Sequence, residues 1–386
     1  PFANPGTGDV GGMNVMVKHV ALALSDQGHD VDVYTRRDDP AAPATHLHGR
    51  VRLHHLPAGP ARPATKREQE GYVEEFSAQL RAAYGDAQAE GRAWSIIHSH
   101  HWFSGAAALP LAQELGIDHV QSFHSVAATR KGGWELGEQP EGPGRVPAEQ
   151  MLAQRSEGII SVSSAEAATV LSLGAAEERV RVCAPGVDHE VFHPPSTAER
   201  AAPAMILAAA RLEPLKGLEL AIQAVAATRE NHRPQLVISG APTAGFEGYD
   251  SQLRSLARRC GVESHVTFVG PLGRKDLADM MRQASIMVIP SHSETYGLVA
   301  LEAAACATPV IAAKAGGLVD AIDAPHTGVL LDSRDPNVWA QEIDRLLTHR
   351  DLLHQMGHRS HAWAQQFTWH STARNWLESY AWFAGL

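Results

Sequence analysis

The sequence predicts an α/β protein of two doubly wound domains facing a central cleft, and three observations predict it. Short apolar runs alternate with helical stretches along the chain, the pattern of parallel βαβ units. The 386 residues exceed one ordinary domain and suit two of roughly 180 to 200 residues each. An aperiodic, proline-rich stretch from Pro185 to Ala204, PGVDHEVFHPPSTAERAAPA, interrupts the pattern near the middle and reads as a connector. The expected domains are 1–186 and 204–370, joined by a connector over 187–203. A closing helix over 371–386 returns to the first domain.

In order, the chain opens with a loop carrying Gly6, Gly8, Gly11 and Gly12, then an amphipathic helix over Val15 to Ser25. Such a loop ordinarily follows the first strand of a doubly wound sheet, near its centre. That strand is therefore expected to be missing before Pro1, and a first domain without it would carry unpaired edges in its middle. Strands are expected over Asp30–Thr35, Val51–Leu56, Ile96–Ser99, His119–Phe123, Gly158–Val162 and Val180–Cys183. In the second half they fall at Met205–Ala210, Gln235–Ser239, His265–Val269, Ile286–Ile289, Val310–Ala312 and Gly328–Leu331. The last helix, Ser371 to Phe383, carries Trp376, Tyr380, Trp382 and Phe383 and needs a surface to cover.

Composition narrows the function. A formal charge of −10 with no basic stripe argues against nucleic acid or a membrane surface as the partner. Cys183, Cys260 and Cys306 are far apart and odd in number, which suggests neither a disulfide framework nor a zinc site and fits a cytoplasmic location. No apolar run approaches the length of a membrane span, and nothing resembles a signal peptide. The oligomeric state stays open, a homodimer included.

The most informative stretch is SHSETYGLVALE, 291–302, which follows the apolar strand ending at Pro290. A helix starting near Gly297 would aim its free amides at open space, where they attract phosphate. Glu294 before the turn and Glu302 within the helix could then reach hydroxyls at either end of one ligand. Either glutamate could instead be a helix cap or a solvated face, but carboxylates on a helix this apolar are costly unless paired. AARLEPLKG, 209–217, puts Arg211 and Lys216 just past another strand end, where two cations either neutralise a diphosphate or are simply solvated surface charges. His98 and His100 alternate onto one strand face without a carboxylate or cysteine at ligand spacing, so they read as structural rather than metal-binding. Asp30 and Asp32 sit at the wrong end of a strand for a site. Gly316 and Gly317 form a second turn opening onto a helix, and His124 closes a strand at the cleft edge.

The segments PGTGDVGGMNV, SHHWFSG, FHSVAATRK, CAPGVDHEVFHP, ARLEPLKG and SHSETYGLVALEAAACATPVIAAKAGGLVDAI together resemble the retaining glycosyltransferases of group 4, which fold as two Rossmann-like domains in the GT-B arrangement. The GDVGGMN segment is similar to the branch that glycosylates inositol phosphate at the start of mycothiol synthesis. The resemblance implies a hexosyltransferase acting on a nucleotide-sugar donor and a small acceptor, UDP-N-acetylglucosamine and inositol phosphate first among them, with neither metal nor cofactor. It places Arg211, Lys216, Glu294 and His124 at the reacting centre. Gly12, Tyr296, Gly297, Leu298 and Glu302 fall on the donor, with Glu302 at the ribose. Asn14, Lys66, His101, Ser125, Arg130, Lys131 and Arg145 fall on the acceptor. The chain departs from the family pattern at His101, where a tyrosine is usual, at Ser125 (threonine), at Leu272 (arginine near the nucleobase) and at Cys306 (glycine). A related glycosyltransferase using another donor, GDP-linked for example, with a thiol or aminocyclitol acceptor stays open. So do a nucleotide-sugar epimerase and a non-catalytic sensor.

Overall fold

The structure is a computed structural model that describes residues 2, 11–127, 142–196, 204–243 and 245–385. Gly6, Gly8, Arg130, Lys131 and the connector over 197–203 lie outside the described residues.

The second half forms one six-stranded parallel sheet in the order β10-β9-β8-β11-β12-β13. Its strands are β8 (Met205–Ala209), β9 (Gln235–Ser239), β10 (Val266–Gly270), β11 (Ile286–Ile289), β12 (Val310–Ala313) and β13 (Gly328–Leu331). Every residue of β11 and β12 is buried, because helices cover both faces of a parallel sheet. Those helices are α7 (Leu218–Ala227), α8 (Tyr249–Arg259), α9 (Arg274–Gln283), α10 (Leu298–Ala305), α11 (Leu318–Ala321), α12 (Pro336–Thr348) and α13 (Arg350–Ala364).

The first half runs α1 (Gly12–Asp26), β1 (Val31–Arg36), β2 (Thr45–His48), β3 (Val51–Leu56), α2 (Lys66–Glu70), α3 (Val73–Ala89), β4 (Ile97–His100) and α4 (His101–Leu115). It continues with β5 (His119–Ser122), α5 (Arg145–Arg155), β6 (Gly158–Ser161), α6 (Ser164–Ser172) and β7 (Val180–Val182). Its strands form two sheets, β1-β3-β2 and a parallel β4-β5-β6-β7, with β1 and β4 each ending one. No strand among the described residues pairs β1 with β4. Tyr34, Leu56, Ile97, Leu80, Ala108 and Leu111 share one apolar cluster, so packing joins the two sheets where a hydrogen-bonded ladder does not. At the start of β1, Asp32 is held by Arg52, His54 and Arg92, a structural knot rather than a site.

β2 escapes the sequence pattern. THLH is mostly exposed and pairs antiparallel on an edge, so it has no apolar alternation to show. The connector is less open than its composition suggests. Phe192 within it is fully buried, and the Val187 amide donates to Phe367 O at 3.1 Å.

The closing helix, α14 (Trp369–Phe383), begins two residues earlier than expected, at a Thr368–Ser371 capping box. It crosses back onto the first half. Thr372 donates to Ala184 O at 3.0 Å, and the Trp382 indole donates to Glu178 O at 3.0 Å. A Cβ on Gly186 would lie 2.4 Å from the Trp369 amide nitrogen, so only glycine lets the connector and the entry to α14 pass this closely.

Candidate active site

β8 and β11 are neighbours where the strand order reverses, so the loops leaving their carboxyl ends diverge and open a crevice. Lys216 stands on the first loop and Glu294 on the second. Lys216 Nζ donates to Glu294 Oε1 at 2.8 Å, and the Ser291 hydroxyl donates to the same oxygen at 2.8 Å. Both charged side chains are largely covered, at 13 % and 15 % exposure, where a charge-assisted bond is stronger than in water. Arg211 behaves differently. It pairs with Glu213 at 2.9 Å, Glu213 also accepts from the Thr243 hydroxyl, and the Arg211 side chain is 44 % exposed. Lys216 is therefore the inner cation and Arg211 the outer one.

The loop past Glu294 turns into α10 through Gly297, whose φ of +94° suits glycine. Neither α10 nor α1 has a side-chain cap or an acidic residue in its first turn. A Cβ on Gly12 would lie 3.2 Å from Leu298 Cδ1, so the starts of the two helices meet across the cleft. Two such helix ends create a positive region with little side-chain charge of its own. The Gly316–Gly317 turn presses against this loop. The Gly317 amide donates to Glu294 O at 2.9 Å, and a Cβ on Gly316 (φ +51°) would lie 2.0 Å from that oxygen. Tyr296 is buried, so within this loop its backbone rather than its ring is offered to a ligand.

Glu302 is 7 % exposed and accepts a hydrogen bond from Arg274 at 2.9 Å. Burial raises its carboxyl above the ordinary range, and the Arg274 guanidinium opposes that. Arg274 in turn lies 4.9 Å above the Phe192 ring. His19 of α1, stacked on Trp369, is held down at about 4 by burial and by the Arg274 charge. Leu272 lies two residues before Arg274, the cation that reaches Glu302. The backbone position that favours glycine is Ala307 (φ +56°), whereas Cys306 has an ordinary φ of −79°.

On the first domain, His124 follows β5 with a φ of +58°, a left-handed conformation uncommon outside glycine. Its ring Nε2 is 2.8 Å from His100 Nδ1, and its carbonyl accepts from the Thr295 hydroxyl of the other domain at 2.7 Å. A second bond between domains joins the Asp320 carboxylate to the Ser164 amide and hydroxyl, at 2.6 and 2.8 Å. Arg145 is almost wholly buried. It pairs with Glu149 and donates to Ser125 O and Oγ at 3.0 and 3.1 Å, so it holds the Ser125 loop in place. Lys66 opens α2, and Glu70 on the same helix accepts from the Gly144 amide at 2.8 Å, which sets that helix beside Arg145. His101 starts α4 with φ +70°, and Asn14 lies in the first turn of α1 beside Gly12. Among the described residues, no three His, Cys, Asp or Glu side chains gather in a way that could hold a metal ion.

Arg274, Thr295, His100, Ser291 and the Ser164–Asp320 pair are the site residues that sequence reasoning missed. Only Arg274 carried a signal, as a cation at the first position of a helix that follows a sheet strand.

Two facing Rossmann-like domains, with paired helix starts and a largely covered Lys–Glu contact in the cleft, define a glycosyltransferase of the GT-B architecture. Residues 10–191 match the family model Glycosyltransferase Family 4, and residues 192–363 match Glycosyl transferases group 1. The chain belongs to the group 4 glycosyltransferases and is similar to D-inositol 3-phosphate glycosyltransferases. That of Frankia alni is 35% identical over 98% of this chain and 96% of its own length, and that of Jonesia denitrificans is 35% identical over 98% and 93%. Among solved structures, sucrose-phosphate synthase from Thermosynechococcus elongatus superposes with a TM-score of 0.89 at 26% identity, covering 100% of this chain and 97% of that one. Anabaena HepE in complex with UDP and glucose has a TM-score of 0.76 at 18% identity over 97% of both chains, a likeness of fold alone.

Proposed function

We propose that this chain is a retaining glycosyltransferase that moves a sugar from a nucleotide-diphosphate donor, UDP-N-acetylglucosamine first, to a hydroxyl of inositol phosphate. The observation that carries this reading is the meeting of the α1 and α10 starts beside the Lys216–Glu294 contact. A diphosphate lodged there gains from both sets of amides and from Lys216. As the bond between the sugar C1 and the phosphate oxygen breaks, charge grows on that oxygen, and pre-aimed donors stabilise it without reorganising. The acceptor hydroxyl attacks C1 from the face the diphosphate leaves, and its proton passes to the departing phosphate oxygen. Glu294 grips the sugar hydroxyls once donor phosphate competes for Lys216, His124 faces the same sugar, and Glu302 takes the ribose.

No metal is needed in this scheme, because Lys216, Arg211 and the helix amides supply the positive charge. The names of the similar proteins support inositol phosphate as the acceptor. On that reading Lys66 and His101 line the phosphate pocket, and Arg145 acts by placing Ser125. The free cysteines, none paired with another, agree with a cytoplasmic enzyme.

The test is a thermal-shift screen of UDP, GDP and ADP, followed by mass spectrometry of products formed from the matching donor with inositol phosphate. UDP stabilisation and a disaccharide-like phosphate product are expected. Conversion of donor alone to an isomeric sugar nucleotide would instead mark an epimerase, and tight binding without turnover would mark a sensor.

A further inference from the structure

His98, His100 and His124 form a ladder that begins at the closing helix and ends in the cleft. The Ser122 hydroxyl donates its one proton to Ile160 O at 2.7 Å, so toward His98 Nε2, 3.0 Å away, it can only accept. His98 therefore carries its proton on Nε2, and its Nδ1 accepts from the Tyr380 hydroxyl at 2.8 Å. Burial raises the Tyr380 phenol well above its ordinary value, so it remains a donor. His98 stacks on His100 at 4.5 Å between ring centroids, and the Trp376 ring lies 4.5 Å from His98 and 5.5 Å from His100. His100 Nδ1 then meets His124 Nε2. Burial keeps His98 and His100 far below their ordinary value and His124 at about 4, so the ladder is a chain of neutral rings, with the His98 tautomer set by its two hydroxyl partners.

We propose that Tyr380, with Trp376 beside it, is a positioning residue of the transfer: from the last helix of the chain it anchors the His98 ring, whose tautomer Ser122 sets, and, through the stacked His100, the direction of the His124 ring. The proposal rests on the glycosyl-transfer reading, in which His124 faces the donor sugar. Tyr380 itself touches no substrate. Its effect lies on the reacting geometry, where a small misplacement of a group costs turnover more than binding.

The test compares wild type with Tyr380→Phe, which keeps the ring and removes the hydroxyl, by steady-state kinetics and by nitrogen NMR of histidine-labelled protein. The expected result is a kcat lower by about tenfold with donor KM within about twofold. The thermal midpoint should stay close to that of wild type, and the ring-nitrogen signals of His98 and His124 should both shift. A change confined to stability, an unchanged kcat, or unmoved His124 signals overturns the proposal. Ser122→Ala reaches the ladder from its other side with α14 intact and should show the same kcat loss; it serves if the phenylalanine variant folds poorly. If wild type transfers no sugar from any nucleotide sugar, the glycosyl-transfer reading fails by itself. The NMR arm then decides the ladder, with shifted His124 signals supporting it and unmoved signals overturning it.

Discussion

Replacing Arg274 with methionine isolates what holds Glu302 inside the second domain. The two groups are 2.9 Å apart, with side chains 20 % and 9 % exposed, and methionine keeps most of the cover over Phe192 while removing the charge. Stripping one partner from a buried pair costs about 3 to 5 kcal/mol, and the partial wetting here points to the lower figure, about 3 kcal/mol at neutral pH. The pH dependence follows from the carboxyl. Burial already raises Glu302 above its ordinary value, with Arg274 pulling the other way, so the variant raises it further. A folded state that keeps a proton the unfolded chain has released loses stability as pH rises. The deficit relative to wild type should therefore be small in acid, grow as pH passes the wild-type Glu302 value, and level off once the variant's carboxyl has also ionised. Urea unfolding from about pH 5 to about pH 8, followed by second-domain fluorescence, measures it. Arg274→Met/Glu302→Gln should recover most of the loss, because no charge is left unpaired. A pH-independent deficit below about 1 kcal/mol in the single variant would refute the reasoning.

Lys216→Ala should lower nucleotide release with acceptor by about a hundredfold or more while circular dichroism is unchanged, since it removes the inner cation at the leaving group; turnover near wild type would strip Lys216 of that role. Gly316→Ala should cost about 2 kcal/mol or more in chemical unfolding, because its Cβ meets the Glu294 carbonyl. The loop of Glu294 to Gly297 should move with it and weaken donor binding by calorimetry. Ala307→Gly removes a left-handed alanine and should raise the free energy of unfolding, by up to about 1 kcal/mol after the greater freedom of glycine in the unfolded chain is subtracted, as chemical unfolding would measure.

Much of the fold could be read from the chain because buried parallel strands are continuous apolar runs, as in IMVI of β11 and VIAA of β12. The turn at Gly297 and the cations after β8 could be read for a related reason, since ligands gather at strand carboxyl ends. What stayed hidden is what distant segments do to each other. Glu302 finds Arg274 across 28 residues and His98 finds Tyr380 across 282, and no local pattern encodes either meeting. The left-handed conformation of Ala307 is equally silent in the sequence, because composition says nothing of φ. The division of the first half into two sheets is likewise a matter of which strand pairs with which.

The chain passes between its two domains twice, and both passages lie in one place. Val187 on the outward passage pairs in parallel with Thr368 on the return, with Gly186 pressed against the Trp369 backbone. A single bridge thus ties the two passages to each other, so neither can shift without carrying the other along.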